Sequence, residues 1–370
     1  MSEHKLPCVT NAISAHVPKV RLGDVCEIVS YRGHQIKQSE IRPNGKYPVV
    51  SQSEELIEGY SNSEIAIEDL PLVIFGDHTC CVKLIDFPFV VGADGTKLLK
   101  SKEAEAPYLS FALRFLQPTI ADGKYRRHFG DLMEREIPLP PIAAQRQISA
   151  KLNTICEIVA KRKAQLAQLQ QLVKSRFVEM FGSCPANTPI MGFGKVFTGS
   201  TPPMKEEAYY QQADFCFVKP SDLSYDVRKF SDSECHLSHK AETVARMFNP
   251  GAVLVTCIGA TIGKMGVAQV RGSCNQQINF IEPFGNVDSL YLAYAIQSRH
   301  KELVALANST AVPIINKSEF CKFRIPFPPL ALQREFAAFV AKVDKLAFAV
   351  KRSLETVEKL YRQQLSEAFS

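Results

Sequence analysis

Between residues 142 and 180 the apolar positions fall in alternating steps of four and three. They are Ile148, Leu152, Ile155, Val159, Leu166, Leu169, Val173 and Met180, with Arg162 and Arg176 standing where the stripe breaks. No Pro or Gly interrupts the stretch. The spacing is that of a coiled-coil seam and predicts one helix of 39 residues, about 58 Å long at 1.5 Å per residue. A second stripe keeps the same steps: Phe336, Val340, Val343, Ala347, Val350, Leu354, Val357, Tyr361, Gln364 and Ala368. Val350 and Gln364 occupy the places of Arg162 and Arg176. An amphipathic helix lying on its own domain would show a similar stripe, but two with one seam favour pairing with each other. The pairing positions would be Leu152, Ile155, Val159, Leu166, Leu169 and Val173 on one helix, and Val340, Val343, Val350, Leu354, Val357 and Tyr361 on the other.

The stripes belong to a repeat. Residues 137–182 open IPLPPIAAQRQISAKL and residues 325–370 open IPFPPLALQREFAAFV, aligning without a gap at an offset of 188. Ile137, Pro138, Pro140, Pro141, Gln145 and Arg146 recur as Ile325, Pro326, Pro328, Pro329, Gln333 and Arg334, and Lys163, Leu166, Leu172, Glu179 and Phe181 as Lys351, Leu354, Leu360, Glu367 and Phe369. The prolines fix φ and hold the chain extended, and a proline is well placed in a helix's first turn, where its missing N–H has no partner. A weaker echo lies upstream, LGDVCEIVS (22–30) against FGKVFTGS (193–200). Each unit therefore reads as a short opening strand, a mixed α/β body, a proline step and a long helix. The expected division is a tail over 1–16, heads over 17–141 and 183–329, and helices over 142–182 and 330–370. Paired antiparallel, the helices would set the heads at opposite ends about a pseudo-twofold axis.

The first head holds the apolar run LPLVIFG (70–76) and then FPFVVGADGTKLL (87–99), β-type stretches separated by turn residues. Residues 54–69 carry six acidic side chains and no basic one, and are expected to face solvent. Gly123-Lys124-Tyr125-Arg126-Arg127-His128 is the opposite, a glycine-led basic loop with an aromatic. Arg suits bidentate contact with guanine edges and Lys suits phosphate; a plain solvated loop is the other reading. In the second head, NPGAVLVTCIGATIGKMGVA (249–268) has the look of a phosphate loop, but Gly259 to Gly263-Lys264 is one residue short. Met265 also stands where a magnesium-binding Ser or Thr is required. The glycines are better placed to shape a tight turn that leaves Lys264 exposed. In Cys274-Asn275-Gln276-Gln277-Ile278-Asn279, amides alternating with apolar residues along an extended run would either read adenine or satisfy buried backbone groups.

Composition narrows the class. With 46% hydrophobic and 22% charged residues the chain is that of a folded globular protein, and 370 residues suffice for two cores. No apolar run approaches the ~20 residues that cross a bilayer, and the start lacks the basic-then-apolar order of a secretory signal; a cytoplasmic protein is expected. Eleven cysteines show no paired metal spacing, so reduced, mostly buried thiols are expected; Cys235, His236 and His239 lack a matching second half. The net charge of +6 divides as +2 over 19–182 (22 basic, 20 acidic) and +4 over 183–370 (21 basic, 17 acidic). That balance permits a nucleic-acid partner without requiring one. The Asn/Asp-Pro-Pro-aromatic tetrad of an amino-methyltransferase, GxGxxG after a strand, the Asp…Asp/Glu-x-Lys nuclease cluster, the nucleophile elbow and HExxH are all missing. Two heads, a helical ruler and no catalytic set read as a recognition subunit.

At these residues the chain resembles the specificity (S) subunits of type I restriction–modification systems. The carriers are the repeated IPLPP/IPFPP with Gln-Arg and a long helix, LGDVCEI, LPLVIFGDHTCCVK (70–83) with VVGADGTK (90–97), and KPSDL (219–223) with NPGAVLVTCIGATIGK (249–264). The likeness spans nearly the whole chain. It implies an α/β fold with α+β heads: two target-recognition domains separated by two long antiparallel helices forming a coiled coil, an internal pseudo-twofold repeat. Each head would read one half of a bipartite double-stranded DNA site, the helices setting the unread spacer. The helices would also dock two methyltransferase (M) subunits, and restriction (R) subunits would join them. S-adenosylmethionine, ATP and magnesium are expected only on those partners, this chain carrying no cofactor, no metal and no catalytic residue. By chemistry and loop position, DNA contacts are expected from Lys97, Lys124, Arg126 and Arg127 in the first head. Lys219, Lys264, Gln276, Gln277, Asn308 and Asn316 are the candidates in the second. The competing reading is a coiled-coil scaffold whose heads bind proteins.

Overall fold

The computed structural model describes residues 17–31, 35–63, 65–92, 95–124, 126–308 and 312–370. The expected tail over 1–16 lies outside them, as do Ala93, Asp94 and Tyr125 of the motifs quoted above. The chain divides into two compact units, Met1–Ala164 with Lys351–Ser370, and Gln165–Val350. Each unit thus takes part of both long helices. No helix among the described residues is long and apolar enough to cross a membrane.

In the first unit, β1 (Lys19–Arg21) pairs with β9 (Glu136–Pro138). Between β1 and the next strand the chain makes one helical turn, α1 (Leu22–Val25), so the expected opening strand is split in two. Leu22 lies fully buried there, its N–H bonded to Arg135 O. β2 (Cys26–Val29), β5 (Leu72–Gly76), β6 (Val82–Ile85) and β8 (Thr96–Ser101) form an antiparallel sheet in the order β2-β8-β5-β6. β3 (Tyr47–Val50), β4 (Gly59–Ser61) and β7 (Val90–Val91) form a second, β4-β3-β7, in which β3 and β7 are parallel. Helices α2 (Ala106–Ile120) and α3 (Phe129–Met133) follow.

The run Leu72-Val73-Ile74-Phe75 reads as continuously apolar because β5 is covered on both faces. Val73 and Phe75 enter the cluster built on Tyr108, Phe111 and Leu113 of α2. Leu72 and Ile74, one residue out of phase, enter the cluster of Val50, Phe89 and Val91. Each such side chain is worth about 1.5–3 kcal/mol when fully buried, so this strand holds the two layers together.

The second unit repeats the plan. β10 (Thr188–Pro189) pairs with β20 (Arg324–Ile325). β11 (Gly194–Thr198), β13 (Lys229–Phe230), β16 (Val253–Thr256), β17 (Met265–Ala268) and β19 (Ile278–Pro283) form the order β11-β19-β16-β17-β13. β12 (Phe215–Val218), β14 (Cys235–Leu237), β15 (Met247–Phe248) and β18 (Gly272–Cys274) form β14-β12-β18-β15, with β12 and β18 parallel. The helices are α5 (Ser289–Ser298), α6 (His300–Val304) and α7 (Lys317–Lys322). Strand order matches that of the first unit, β12 and β18 pairing parallel as β3 and β7 do, with β13 (parallel to β17) and β15 added at the edges. The double-sided strand recurs too, Val253 and Val255 joining one cluster and Leu254 the other.

The long helices are α4 (Ile142–Phe181) and α8 (Leu330–Phe369). In the first unit Cys156 meets Tyr361 and Lys163 pairs with Glu358 at 3.2 Å, the falling and rising numbers of an antiparallel pair. In the second unit Phe181 packs on Phe336, ring centroids 5.8 Å apart, and Arg176 lies 5.8 Å from the Phe339 ring, again antiparallel. Leu152, Ile155, Val173, Val340, Val343 and Val350 are buried, and Val159, Leu166, Leu169, Leu354, Val357 and Tyr361 half-buried. The seam breaks Arg162 and Arg176 are both half-buried, and Arg176 pairs with Glu335 at 3.1 Å.

The repeated glutamines explain the motif around them. Gln145 Oε1 accepts the Glu105 N–H at 2.9 Å while Nε2 donates to Pro140 O at 2.9 Å and Glu103 O at 3.0 Å. Gln333 Oε1 accepts the Asp288 N–H at 2.9 Å while Nε2 donates to Pro328 O at 2.8 Å and Asn286 O at 3.4 Å. Glu105 and Asp288 are the N-caps of α2 and α5. Each glutamine therefore ties the proline step to the start of the head's own helix. Tyr108 Oη donates to Pro138 O (2.8 Å) and Tyr291 Oη to Pro326 O (2.7 Å), closing the same corner.

Candidate nucleic-acid interface

In the first head the basic loop enters α3 and lies against the turn between β5 and β6. Asp77, 3% exposed, organises this junction. Its Oδ1 accepts the N–H groups of His128 (3.0 Å) and Phe129 (2.9 Å), and its carbonyl oxygen lies 2.8 Å from the His128 nitrogen. Its Oδ2 stands 3.8 Å from Lys97 Nζ, which also sits 5.4 Å above the Phe129 ring. Lys97 and the backbone at the end of the basic loop, from two distant stretches of sequence, thereby meet at one carboxylate. Lys124 and Arg127 are exposed. Arg126 is already engaged: Nε donates to Asp122 Oδ2 at 2.8 Å and Nη1 to Asp131 Oδ2 at 2.7 Å. The Arg126 hydrogen bond, helped by the Lys124 N–H, holds the Asp122 carboxyl down at about 2. His78 Nδ1, from the β5–β6 turn, meets Arg126 O at 3.2 Å. The acidic stretch splits: Glu54, Glu55, Glu68 and Asp69 are exposed, while Glu58 is half-buried and takes a hydrogen bond from Ser51.

In the second head the β16–β17 turn carries Gly259 (φ 90°) and Gly263 (φ 86°), left-handed positions that glycine fills without strain. This is the tight turn expected in place of a phosphate loop. Lys264 is half-buried, its Nζ 5.8 Å above the Tyr225 ring, and so less exposed than its sequence suggested. Asn275-Gln276-Gln277 is not an extended run but the turn between β18 and β19. Asn275 Oδ1 accepts the Gln277 N–H at 3.2 Å, a local bond that bends the chain. Its Nδ2 donates to Gln277 Oε1 at 2.9 Å, Gln276 is exposed and bonded by Thr201, and Asn279 is buried against Thr198. Lys219 Nζ donates to Cys235 Sγ at 2.9 Å, a bond that raises the lysine's pKa. Asn308 Oδ1 accepts the Ile314 N–H at 2.9 Å, and Asn316 caps α7 by accepting the Glu319 N–H at 2.9 Å.

The two candidate loops occupy equivalent places. His128 precedes α3 as Asn316 precedes α7, and the numbers differ by the repeat offset of 188. Each loop is bonded to the hairpin turn beside it: His128 N–H to Asp77 O in the first head, and in the second Gly259 N–H to Pro313 O and Ile315 N–H to Cys257 O. Gln277 Nε2 also borders Gly259. The offset was visible in the sequence and identifies the second loop from the first. Asp77, which does the organising, left no signal there, since an Asp in a turn is commonplace.

One group of potential metal donors occurs among the described residues, Cys216, Asp232 and His236, with donor atoms within 4.8 Å of one another. Of the trio weighed from sequence, only His236 belongs to it, and its ring already meets Asp232 Oδ1 at 2.8 Å. Burial pushes the Cys216 thiol pKa up, which works against a thiolate ligand.

A family model described as the type I restriction modification DNA specificity domain matches the chain twice, over residues 16–171 and 188–359. The specificity subunit of the type I restriction enzyme EcoR124I/EcoR124II of Escherichia coli is 20% identical over 367 residues, covering 93% of this chain and 90% of that one. The putative type I restriction enzyme MjaX specificity subunit of Methanocaldococcus jannaschii is 21% identical over 259 residues, 62% of this chain and 57% of that one. Among solved structures, the S subunit of a type I restriction-modification system from M. genitalium superposes with a TM-score of 0.63 at 14% identity, covering 97% of this chain and 98% of that one. A chain from a structure concerned with complex assembly and conformational transition of the type I R-M system gives 0.55 at 18% identity, covering 95% and 98%. With both halves matched and the fold shared end to end, the chain belongs to the type I restriction modification DNA specificity family.

Proposed function

We propose that this chain is the non-catalytic specificity subunit of a type I restriction–modification complex. It reads a bipartite DNA site, one half-site per head, and directs partner adenine methyltransferase and restriction subunits to it. The observation that carries this reading is the pair of heads built on one strand order, each with a loop of different chemistry at the same place. Equal scaffolds with unequal loops are what two different half-sites require. The first loop offers the cations Lys124 and Arg127 with Lys97 beside them; in the second head the loop offers Asn308 and Asn316, the β18–β19 turn offers Gln276 and Gln277, and Lys219 and Lys264 are further candidates. The side-chain oxygens of all four amides already accept a hydrogen bond within the head, so their NH2 groups are what they can most readily present to a base.

The paired helices set the unread spacer and carry the partners. Apolar residues at repeat-equivalent positions face away from the seam: Ile158 with Leu346, and Leu172 with Leu360, all exposed. A duplicated outer face fits two copies of one partner, the methyltransferase subunit. S-adenosylmethionine, ATP and magnesium reside on the partners, and the complex works in the cytoplasm on cellular DNA. The test is to express the chain with its methyltransferase partner and map methylated adenines, then repeat with residues 17–141 exchanged for those of another family member. One half of the methylated motif should change, with the other half and the spacing retained. Methylation independent of this chain, or both halves changing together, would overturn the reading.

A further inference from the structure

Asp77 has no role in the family reading, yet its placement is unusual. It is a carboxylate buried at a hairpin tip, with one oxygen shared between the backbone N–H groups of His128 and Phe129 and the other turned toward Lys97. The backbone reinforces the arrangement, since Asp77 N–H donates to Gly95 O at 2.8 Å and fixes the start of β8, two residues before Lys97. His78 adds a bond to Arg126 O, and its own N–H is held by Gln52 Oε1 at 3.2 Å. Three chain segments thus converge on one side chain: the β5–β6 turn, the start of β8 and the basic loop. In the second head the turn and its loop are joined by main-chain bonds from Gly259 and Ile315.

We propose that Asp77 is a positioning residue for DNA reading by the first head: it fixes the backbone at 128–129, next to Arg127, and aims Lys97, so that both present one pre-formed cationic surface to the duplex. This rests on the DNA-reading function proposed above. A buried carboxylate accepting two backbone N–H groups is a strong, directional anchor. Anchoring before binding removes the ordering entropy a floppy loop would lose when it meets DNA. The two oxygens divide the work, and that makes the roles separable. In Asp77→Asn the amide oxygen can still accept from His128 and Phe129, but an NH2 group faces the Lys97 ammonium, so the loop stays and the lysine is released. In Asp77→Ala both side-chain contacts are lost, while the main-chain bond from His128 N–H to Asp77 O remains.

The experiment compares wild type, D77N and D77A, each in complex with the methyltransferase partner. Duplexes carry single base-pair changes in either half-site, and amide hydrogen exchange is followed in parallel. D77A should flatten the preference within the half-site assigned to residues 17–141 by tenfold or more, leaving preference within the other half-site unchanged. D77N should keep most of that preference while binding weakens a few-fold at every sequence. The His128 and Phe129 amides should exchange slowly in wild type and D77N. A folded D77A with wild-type preference, or D77N and D77A behaving alike, would overturn the proposal. Should D77A fail to fold, fast exchange of those two amides in wild type, or their release in D77N, would overturn it instead. If the amides behave as expected but no complex binds DNA selectively, the DNA reading fails and the anchor stands.

Discussion

The Phe369 ring lies 5.1 Å from that of Tyr108, and 188 residues earlier the Phe181 ring lies 4.9 Å from that of Tyr291. The last aromatic of each long helix therefore fills the same slot against a head helix: Phe369 at α2 in the first unit, Phe181 at α5 in the second. Both phenylalanines are buried, and burial pushes both tyrosine hydroxyls' pKa values upward while they remain donors to Pro138 and Pro326. Phe369→Ala or Phe181→Ala should cost about 3–5 kcal/mol, the range for emptying an aromatic core site. Differential scanning calorimetry would show each substitution lowering the melting transition; an unchanged transition in either variant would contradict the packing described.

Gln145 and Gln333 each join three backbone groups. Substituting alanine removes the side-chain partner of a backbone N–H and of two carbonyl groups, at about 1–3 kcal/mol per orphaned buried group. Glutamate should be no better than alanine, because its second oxygen would face Pro140 O or Pro328 O, acceptor against acceptor. Chemical denaturation of Gln145→Ala, Gln145→Glu and the Gln333 pair would measure this. A glutamate variant as stable as wild type would mean that the amide nitrogen's bonds contribute nothing.

Much of this architecture could be read from the sequence alone. The seam was written in steps of four and three, and the proline–glutamine repeat announced two copies of one corner, because helix periodicity and proline geometry are local properties. The reason for Gln145 was not legible: its partners Glu103 and Glu105 lie about forty residues away and bond through backbone atoms that carry no sequence identity. The same limit hid Asp77, whose partners are the N–H groups of a distant loop. The amide run 274–279 is not extended throughout: it turns at 275–277, because Asn275 bonds locally to Gln277 and a side-chain-to-backbone bond outcompetes the alternation of residue types. In the first opening segment, burial of Leu22 and its bond to Arg135 turned an apparent strand into a helical turn.

Lys124 and Arg127 should behave differently from Arg126. All three are exposed, but Arg126 is held in ion pairs with Asp122 and Asp131. Substituting Lys124 or Arg127 with glutamine should weaken DNA binding evenly across sequences and reduce the salt slope by about one for each phosphate no longer neutralised. Arg126 is tethered to Asp122 and Asp131, so Arg126→Gln should act through the loop's shape and blunt base preference. Because the Asp122 pKa is lowered to about 2, the tether is complete above its ordinary carboxylate range and is lost only as pH falls toward that value. Binding measured between about pH 6 and 8 should therefore show no step from this pair. Equal salt slopes for all three variants would contradict the division.

The length of the long helices should be readable in the DNA site. Each passes from one compact unit into the other near Ala164 and Val350, where an insertion disturbs neither head. Seven residues added at both places preserve the seam register, since the apolar pattern repeats every seven. They lengthen each helix by about 10 Å at 1.5 Å per residue, close to three base pairs at about 3.4 Å each. If half-site sequences are read by the loops proposed above, which the insertion leaves alone, the methylated motif should keep both halves and gain about three base pairs of spacer. The same insertion in one helix only should leave seven residues without partners and destabilise the complex without defining a new spacer. Methylation mapping of the doubly extended chain decides the matter: an unaltered spacer with full activity would mean that helix length does not set the spacing.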